Sequence, residues 1–200
     1  MSQELELKLG AATPEILDAI LNWSELADKI AEPPRTIAMV SRYFDNEKGD
    51  FSARRWTLRQ RMENETSVIT VKAGGSVEQG LHIRNEWEVP GSDPQVAVPA
   101  LVKLGAPGEL VDLLQSPLVV TCGAEFTRRA ILLDLGGATV ELALDVGMLT
   151  KNDKKLHFQE VELELKSGDS RVLETFGQTM QSKFNLFPEP KSKLARGLSL

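Results

Sequence analysis

Charged and apolar residues alternate along most of this chain, and the pattern begins almost at its first residue. From Glu4 to Leu9 the even positions Glu4, Glu6 and Lys8 are charged and the odd positions are leucine. A period of two is that of a β-strand, whose successive side chains point to opposite faces, so residues 3–9 are predicted to be extended. Similar patterning predicts strands over 35–45, 55–63, 66–73, 81–89, 118–134, 138–147 and 156–166. Thr13-Pro14-Glu15 then predicts a helix start, because Thr caps well and Pro fits the first turn. Its apolar face runs from Ile16 to Ile30, and Pro33-Pro34 ends it. A second helical stretch is predicted from about Val96 to Gln115, interrupted near Gly105-Ala106-Pro107-Gly108, and a last helix over about 170–184. Glu63-Asn64-Glu65 and Gly136-Gly137 read as turns, Lys151 to Lys155 as a polar connection, and Gly74 to Gly80 as a loop. Residues 188–200 are left as a tail.

Eight strands with few helices, no repeat and no linker predict one α+β domain over residues 1–200. A closed eight-stranded antiparallel barrel is the expected architecture, since closure removes exposed edges. The faces decide what kind of barrel. One set of faces carries Leu5, Leu7, Leu58, Ile69, Val71, Ile83, Trp87, Ile131, Leu133, Leu142 and Leu163. The other carries Glu4, Glu6, Lys8, Arg59, Arg61, Lys72, Arg84, Glu86, Glu88, Arg128, Glu141, Asp145, Glu160, Glu162 and Glu164. For a single strand the ordinary reading is a charged face in water. Flanking helices with apolar faces are available to cover the leucine side, which turns the charged faces inward to line a tunnel.

Composition narrows the chemistry. At 42% apolar and 26% charged the chain is an ordinary globular protein. The net charge of −6 argues against a nucleic-acid partner, which favours a basic surface. The single cysteine, Cys122, cannot form an internal disulfide and reads as a buried strand residue. His82 and His157 lack metal-ligand spacing, and no Ser/His or Cys/His pairing is legible. The polar start Met1-Ser2-Gln3-Glu4 is unlike a signal peptide and no apolar run reaches membrane-spanning length, so the expected location is the cytoplasm, without a membrane partner.

Charges inside a tunnel need partners. Lys8, Arg59, Arg61, Lys72, Arg84 and Arg128 form a cationic set suited to several phosphoryl groups. Glu4, Glu6, Glu160, Glu162 and Glu164 form a carboxylate set of the kind hard divalent cations require. A polyphosphate bound with divalent metal satisfies both at once.

These residues also carry a family resemblance. Glu4-Leu5-Glu6-Leu7-Lys8 has the ExExK pattern that opens CYTH domains, the triphosphate tunnel metalloenzymes. Tyr43-Phe44-Asp45, Leu58-Arg59-Gln60-Arg61, Thr70-Val71-Lys72, Arg84-Asn85-Glu86-Trp87-Glu88, Phe126-Thr127-Arg128, Glu141-Leu142-Ala143-Leu144-Asp145 and Glu160-Val161-Glu162-Leu163-Glu164 follow in the family's order. The chain resembles most the bacterial inorganic triphosphatase branch, in which a helical CHAD domain often follows.

The resemblance implies Mg²⁺- or Mn²⁺-dependent hydrolysis of inorganic triphosphate, with Glu4, Glu6 and Lys8 at the chemistry. It makes Glu4, Glu6 and Glu162 metal ligands, with Glu160 or Glu164 alongside, because three glutamates of one parity leave the register open by two residues; Asp145 joins this set. Lys8, Arg59, Arg61, Lys72, Arg84 and Arg128 become the triphosphate contacts. Lys193 and Arg196 either close the tunnel or lie solvated in the tail. Competing readings are a class IV adenylate cyclase, which needs a base pocket, a thiamine or nucleoside triphosphatase, and a non-catalytic polyphosphate-binding module. For the thiamine reading Trp56 or Trp87 could serve as a platform, although alternation places both under the helices.

Overall fold

A computed structural model describes residues 2–200; Met1, the first residue of the expected domain and of its polar N-terminus, lies outside them. In chain order the elements are β1 Ser2–Gly10, α1 Pro14–Leu21, α2 Ser24–Ala27, β2 Arg35–Asn46, α3 Asp50–Ala53, β3 Thr57–Glu63, β4 Thr66–Glu78 and β5 Leu81–Pro90. Then follow α4 Pro94–Lys103, α5 Leu110–Leu113, β6 Leu118–Asp134, β7 Ala138–Lys151, β8 Lys154–Gly168, α6 Ser170–Phe184, β9 Phe187–Pro188 and α7 Lys193–Leu198. All eight strands expected from the alternation are present.

The strands form one antiparallel sheet in the order β5-β4-β3-β2-β6-β7-β8-β1, and β1 pairs back onto β5. That last pairing, with Glu4 opposite Arg84 and Glu6 opposite His82, closes the barrel. The short β9 adds to the other end of β1, opposite Leu9 and Gly10.

Two apolar layers outside the barrel explain which faces turn inward. Leu7, Leu9, Val140, Leu142, Leu144, Val161 and Leu163 pack against Leu17, Ile20 and Leu26 of α1 and α2 and against Leu173, Phe176 and Met180 of α6. Leu58, Ile69, Val71 and Trp87 pack against Ala97, Val98 and Leu101 of α4 and against Leu110 and Leu113 of α5. Full burial of each such leucine is worth about 1.5–3 kcal/mol. A one-residue slip of any strand exposes this layer and drives its charges into it. Trp87 is buried there and Trp56 packs at its edge, so neither stands at the tunnel mouth.

Three local expectations are corrected. The first helix ends at Leu21: the Asn22 side-chain amide folds back to donate to the Asp18 carbonyl, and the Trp23 N–H donates to Ile20 in a tighter i→i−3 turn instead of continuing the helix. The chain then turns to bury Trp23, which stacks on Phe176 at 5.9 Å between ring centroids and meets Phe184 edge-on. Residues 74–78 are not a loop: β4 runs on to Glu78 with a bulge between Ala73 and Ser76, where the two glycines absorb the irregularity. The turn itself is Gln79-Gly80, where Gly80 has φ +86° and a Cβ would stand 2.6 Å from the Lys8 carbonyl oxygen. The expected tail is the third correction: Ser192 caps α7 through the Ala195 N–H, and α7 packs on β6 and β7.

Candidate active site

The tunnel interior is a cavity of about 280 Å³. Eight carboxylates and nine cationic side chains line it among the described residues. Glu4, Glu6 and Lys8 enter from β1, Arg59 and Arg61 from β3, Lys72 from β4, Arg84 from β5, Arg128 from β6, and Glu162 and Glu164 from β8. Lys193 of α7 closes one end. Period two does the positioning, since each pair of residues two apart projects to the same face.

The charges are paired in two groups. In the first, Lys72 Nζ lies 2.6 Å from both Glu4 oxygens and 3.3 Å from Glu86. Arg59 Nη2 contacts Thr70 Oγ1 at 3.2 Å, and Arg61 Nη2 lies 3.3 Å from Glu88. The Arg59 Nε–H is buried and finds no hydrogen-bond partner among the described residues. A buried donor left unpaired is costly unless something fills the cavity beside it.

The second group sits at the α7 end. Lys8 donates to Glu162 and stands 3.2 Å from Glu6. Arg128 grips Asp145 with two parallel bonds of 2.8 and 2.7 Å and also reaches Glu162. Lys193 Nζ donates to Asp145 at 2.8 Å, to Glu162 at 3.0 Å and to Glu160, while Arg196 also donates to Glu160. Lys193 lies over the rings of Phe126 and Phe158, which with Met39, Tyr43 and Cys122 form an apolar collar beneath α7.

The carboxylates differ in how their charge is met. Burial is the largest influence on Glu6 and opposes its ionisation, but Lys8, with Lys72 and His82 adding to it, holds the carboxyl down at about 2. Burial likewise opposes ionisation of Glu162, and Lys193, Lys8 and Arg128 together hold it well below the usual range. Glu4 is raised, by burial first and then by Glu6 and Glu86, against the pull of Lys72. Glu164 is raised by burial, with Glu4 and Glu6 adding repulsion against the pull of Lys166.

The strand register places Glu6 opposite Glu164 and Lys8 opposite Glu162. Glu4, Glu6 and Glu164 are therefore hard oxygen donors that repel one another at the cavity wall, the donor type a divalent cation takes, although here they are not gathered around one point. A tighter trio, Asp145, Glu160 and Glu162, has ligand atoms within 4.8 Å of one another. There the Lys193 ammonium already serves as the counter-cation.

Most of the expected site residues thus meet in one cavity. Asp145, Glu160 and Arg196 do not line it: insertion of Lys193 puts them behind the end wall. Lys193 and Arg196 are not solvated, because α7 packs into the barrel end. Several lining residues escaped the sequence reading. Lys166 continues the parity of Glu160 to Glu164 and was legible by that signal. Arg35 was not, because the rest of its inward face, Ile37, Met39, Ser41 and Tyr43, carries no charge.

A closed antiparallel barrel whose interior is a lattice of paired acids and bases defines a charged-tunnel protein. The CYTH domain family matches residues 2–198, and the chain belongs to it. It is 28% identical over 200 residues to an inorganic triphosphatase of Haemophilus influenzae, covering all of this chain and 55% of that protein, so it spans about half the length of that relative. Among solved structures, a Hippeastrum protein proposed as an adenylyl cyclase and described by a dominant triphosphatase activity superposes with a TM-score of 0.70 at 18% identity, covering 98% of this chain and 95% of that one. A Pyrococcus horikoshii protein, PH1819, superposes with a TM-score of 0.62 at 19% identity, covering 98% of each chain. At these identities the two structures speak for the fold.

None of the helices among the described residues is long and apolar enough to cross a membrane.

Proposed function

We propose that residues 1–200 act as one catalytic unit that hydrolyses inorganic triphosphate to pyrophosphate and phosphate, with Mg²⁺ or Mn²⁺ held at Glu4, Glu6 and Glu164 and with Glu162 beside them. The observation that carries this reading is the near balance of charge in the cavity together with the unpaired buried Arg59 Nε–H. Nearly equal numbers of acids and bases leave little net charge to offset a polyanion. A divalent cation held at Glu4 and Glu6 would take over the charge that Lys72 now meets at Glu4, which would leave the Lys72 ammonium for phosphoryl oxygens, while Lys8 would keep its bond to Glu162.

Arg59, Arg61, Arg84 and Arg128 then grip the triphosphate through planar guanidinium forks. Lys8 stays protonated: burial works against its charge, but Glu162 and Glu6 raise its pKa well above the ordinary value. It stabilises negative charge on the phosphoryl group being transferred. A metal bound at these carboxylates would supply Lewis acidity and lower the pKa of a bound water. Water adds to a terminal phosphorus, the bridging P–O bond breaks, pyrophosphate leaves, and the water proton passes to solvent. No side-chain nucleophile is needed.

The same features favour a compact polyanion over a nucleotide or thiamine ester. The cavity is at the small end for ligand pockets, about 300–1,000 Å³, and its aromatic lining residues, Tyr43 and Phe126, belong to the collar beneath α7. The Haemophilus triphosphatase supports the activity by similarity, and its greater length supports a further domain such as CHAD in that branch.

The test is phosphate release from inorganic triphosphate, thiamine triphosphate, ATP and long-chain polyphosphate with Mg²⁺ and Mn²⁺, alongside a cAMP assay on ATP. Inorganic triphosphate is expected to be turned over fastest, and Glu6→Gln to abolish metal-dependent release while the far-UV circular dichroism spectrum stays that of the folded barrel. Full activity in Glu6→Gln, or cAMP as the main product, overturns the reading.

A further inference from the structure

His82 is fully buried on β5, on the same face as Arg84 and Glu86. It does not line the cavity. Arg84 Nη2 lies 3.0 Å from its Nδ1, and its Nε2 lies 3.2 Å from the Glu189 carbonyl oxygen. These two partners fix the proton. A guanidinium can only donate, so Nδ1 must accept; a carbonyl can only accept, so Nε2 must carry the hydrogen. The ring is therefore neutral, with both nitrogens used. Burial first, and the nearby Lys8 ammonium next, lower its pKa, in keeping with that state.

The Glu189 end of this link is itself clamped. The Glu189 N–H donates to the Lys8 carbonyl at 2.9 Å, and the Lys8 N–H donates to Gly80 at 2.8 Å. Glu189 Oε2 lies 3.6 Å from Arg196 Nη1 of α7. One imidazole thus spans a cavity arginine on one side and, on the other, the backbone that leads into the helix carrying Lys193.

We propose that His82 is a positioning residue, which holds the Arg84 guanidinium at the triphosphate through Nδ1 while its Nε2–H anchors the segment leading to α7. This rests on the tunnel reading above, in which Arg84 contacts substrate. His82 takes no proton and touches no phosphate. It sets the Arg84 rotamer, and it couples that rotamer to the docking of the C-terminal segment.

The two nitrogens can be separated by substitution. In His82→Asn the amide oxygen stands near the Nδ1 position and keeps an acceptor for Arg84, while the donor to Glu189 is lost. In His82→Gln the amide nitrogen stands near Nε2 and keeps the donor to Glu189, while the acceptor for Arg84 is lost. For triphosphate hydrolysis with Mg²⁺, His82→Gln is expected to raise KM about five- to tenfold with kcat within about twofold, and His82→Asn to leave KM within about twofold. Equal KM changes in both variants that track their melting temperatures indicate only a packing role and overturn the proposal, as does an unchanged KM in His82→Gln.

Arg84→Ala separates this inference from its premise. A KM raised in Arg84→Ala but not in His82→Gln removes the inference alone; a KM unchanged in Arg84→Ala removes the tunnel reading and the inference with it. A readout independent of turnover is the ¹⁵N spectrum of the metal-free protein, assigned to His82 by its disappearance in His82→Gln. A protonated Nε2 with a bare Nδ1 supports the proposal, and the opposite tautomer or an imidazolium at neutral pH overturns it.

Discussion

Replacing Lys193 with Met tests how the closed end of the tunnel is held together. In the folded protein its ammonium is 8% exposed and donates to Asp145, Glu160 and Glu162, whose side chains are 0–9% exposed. Methionine fills much of the same volume between Phe126 and Phe158, so the lost quantity is charge. Arg128 and Lys8 remain on Glu162, and Arg196 on Glu160, but three buried carboxylates lose their shared partner. Removing one partner of a buried ionic cluster costs about 3–5 kcal/mol. For a domain of this size each kcal/mol moves the melting temperature by roughly 2–4 °C, which gives a fall of about 6–20 °C at neutral pH.

The sign of the pH dependence follows from the carboxylates. Glu162 is depressed in the folded state, so its ionic stabilisation is present above the unfolded carboxylate pKa and is lost as pH falls through the folded value. Lys193 is raised, so its share persists until pH rises through a folded value above the ordinary lysine range. The gap between wild type and Lys193→Met is therefore widest from about pH 5 to pH 10 and narrows in acid, where Glu160, already raised by burial, takes up its proton first and Glu162 only at lower pH. Differential scanning fluorimetry at neutral pH and near pH 4 measures it. A fall below about 2 °C at neutral pH, or one of the same size at both pH values, would refute the reasoning.

Other expectations follow from single contacts. Arg59→Ala removes a buried guanidinium with an unpaired Nε–H and should raise KM for triphosphate about ten- to hundredfold, as read by steady-state kinetics; unchanged KM and kcat count against a triphosphate clamp. Gly147→Ala puts a Cβ 2.2 Å from the Glu125 carbonyl oxygen and 2.4 Å from the Phe126 Cα, so β6 and β7 must part; chemical denaturation should show a loss of about 1–3 kcal/mol. The Cys122 thiol, pushed up to about 11 by burial, should react slowly with alkylating reagents near pH 8 in the native protein. Because Cys122 lies beneath Leu194 and Gly197 of α7, its alkylation rate should rise in Lys193→Met, and an equal rate in both proteins would mean that α7 stays docked without its lysine.

The strands were legible because alternation is a local property: Glu4, Glu6 and Lys8 must share a face whenever residues 2–10 are extended. The extents were less so. Residues 74–78 carry two glycines and read as loop, yet pairing with β5 extends the strand across a bulge. Alternation also says that two faces differ, but not which is inside. That choice is made by α1, α2, α4, α5 and α6, whose apolar faces cover the leucine side.

The sequence by itself determined the residue types of the site, their grouping by parity and the order of the motifs, because these depend on spacing along one chain. Tertiary structure alone decided which carboxylate meets which cation. Glu6 stands by Glu164 through the β1–β8 register, and Glu160 is withdrawn behind Lys193 through the docking of a helix that lies far along the chain from its partners. His82, which read as an isolated histidine, acquires two partners only when β5 closes the barrel against β1 and the C-terminal segment crosses that seam. Such contacts join residues tens to hundreds of positions apart, and no local pattern encodes the geometry that brings them within hydrogen-bonding reach.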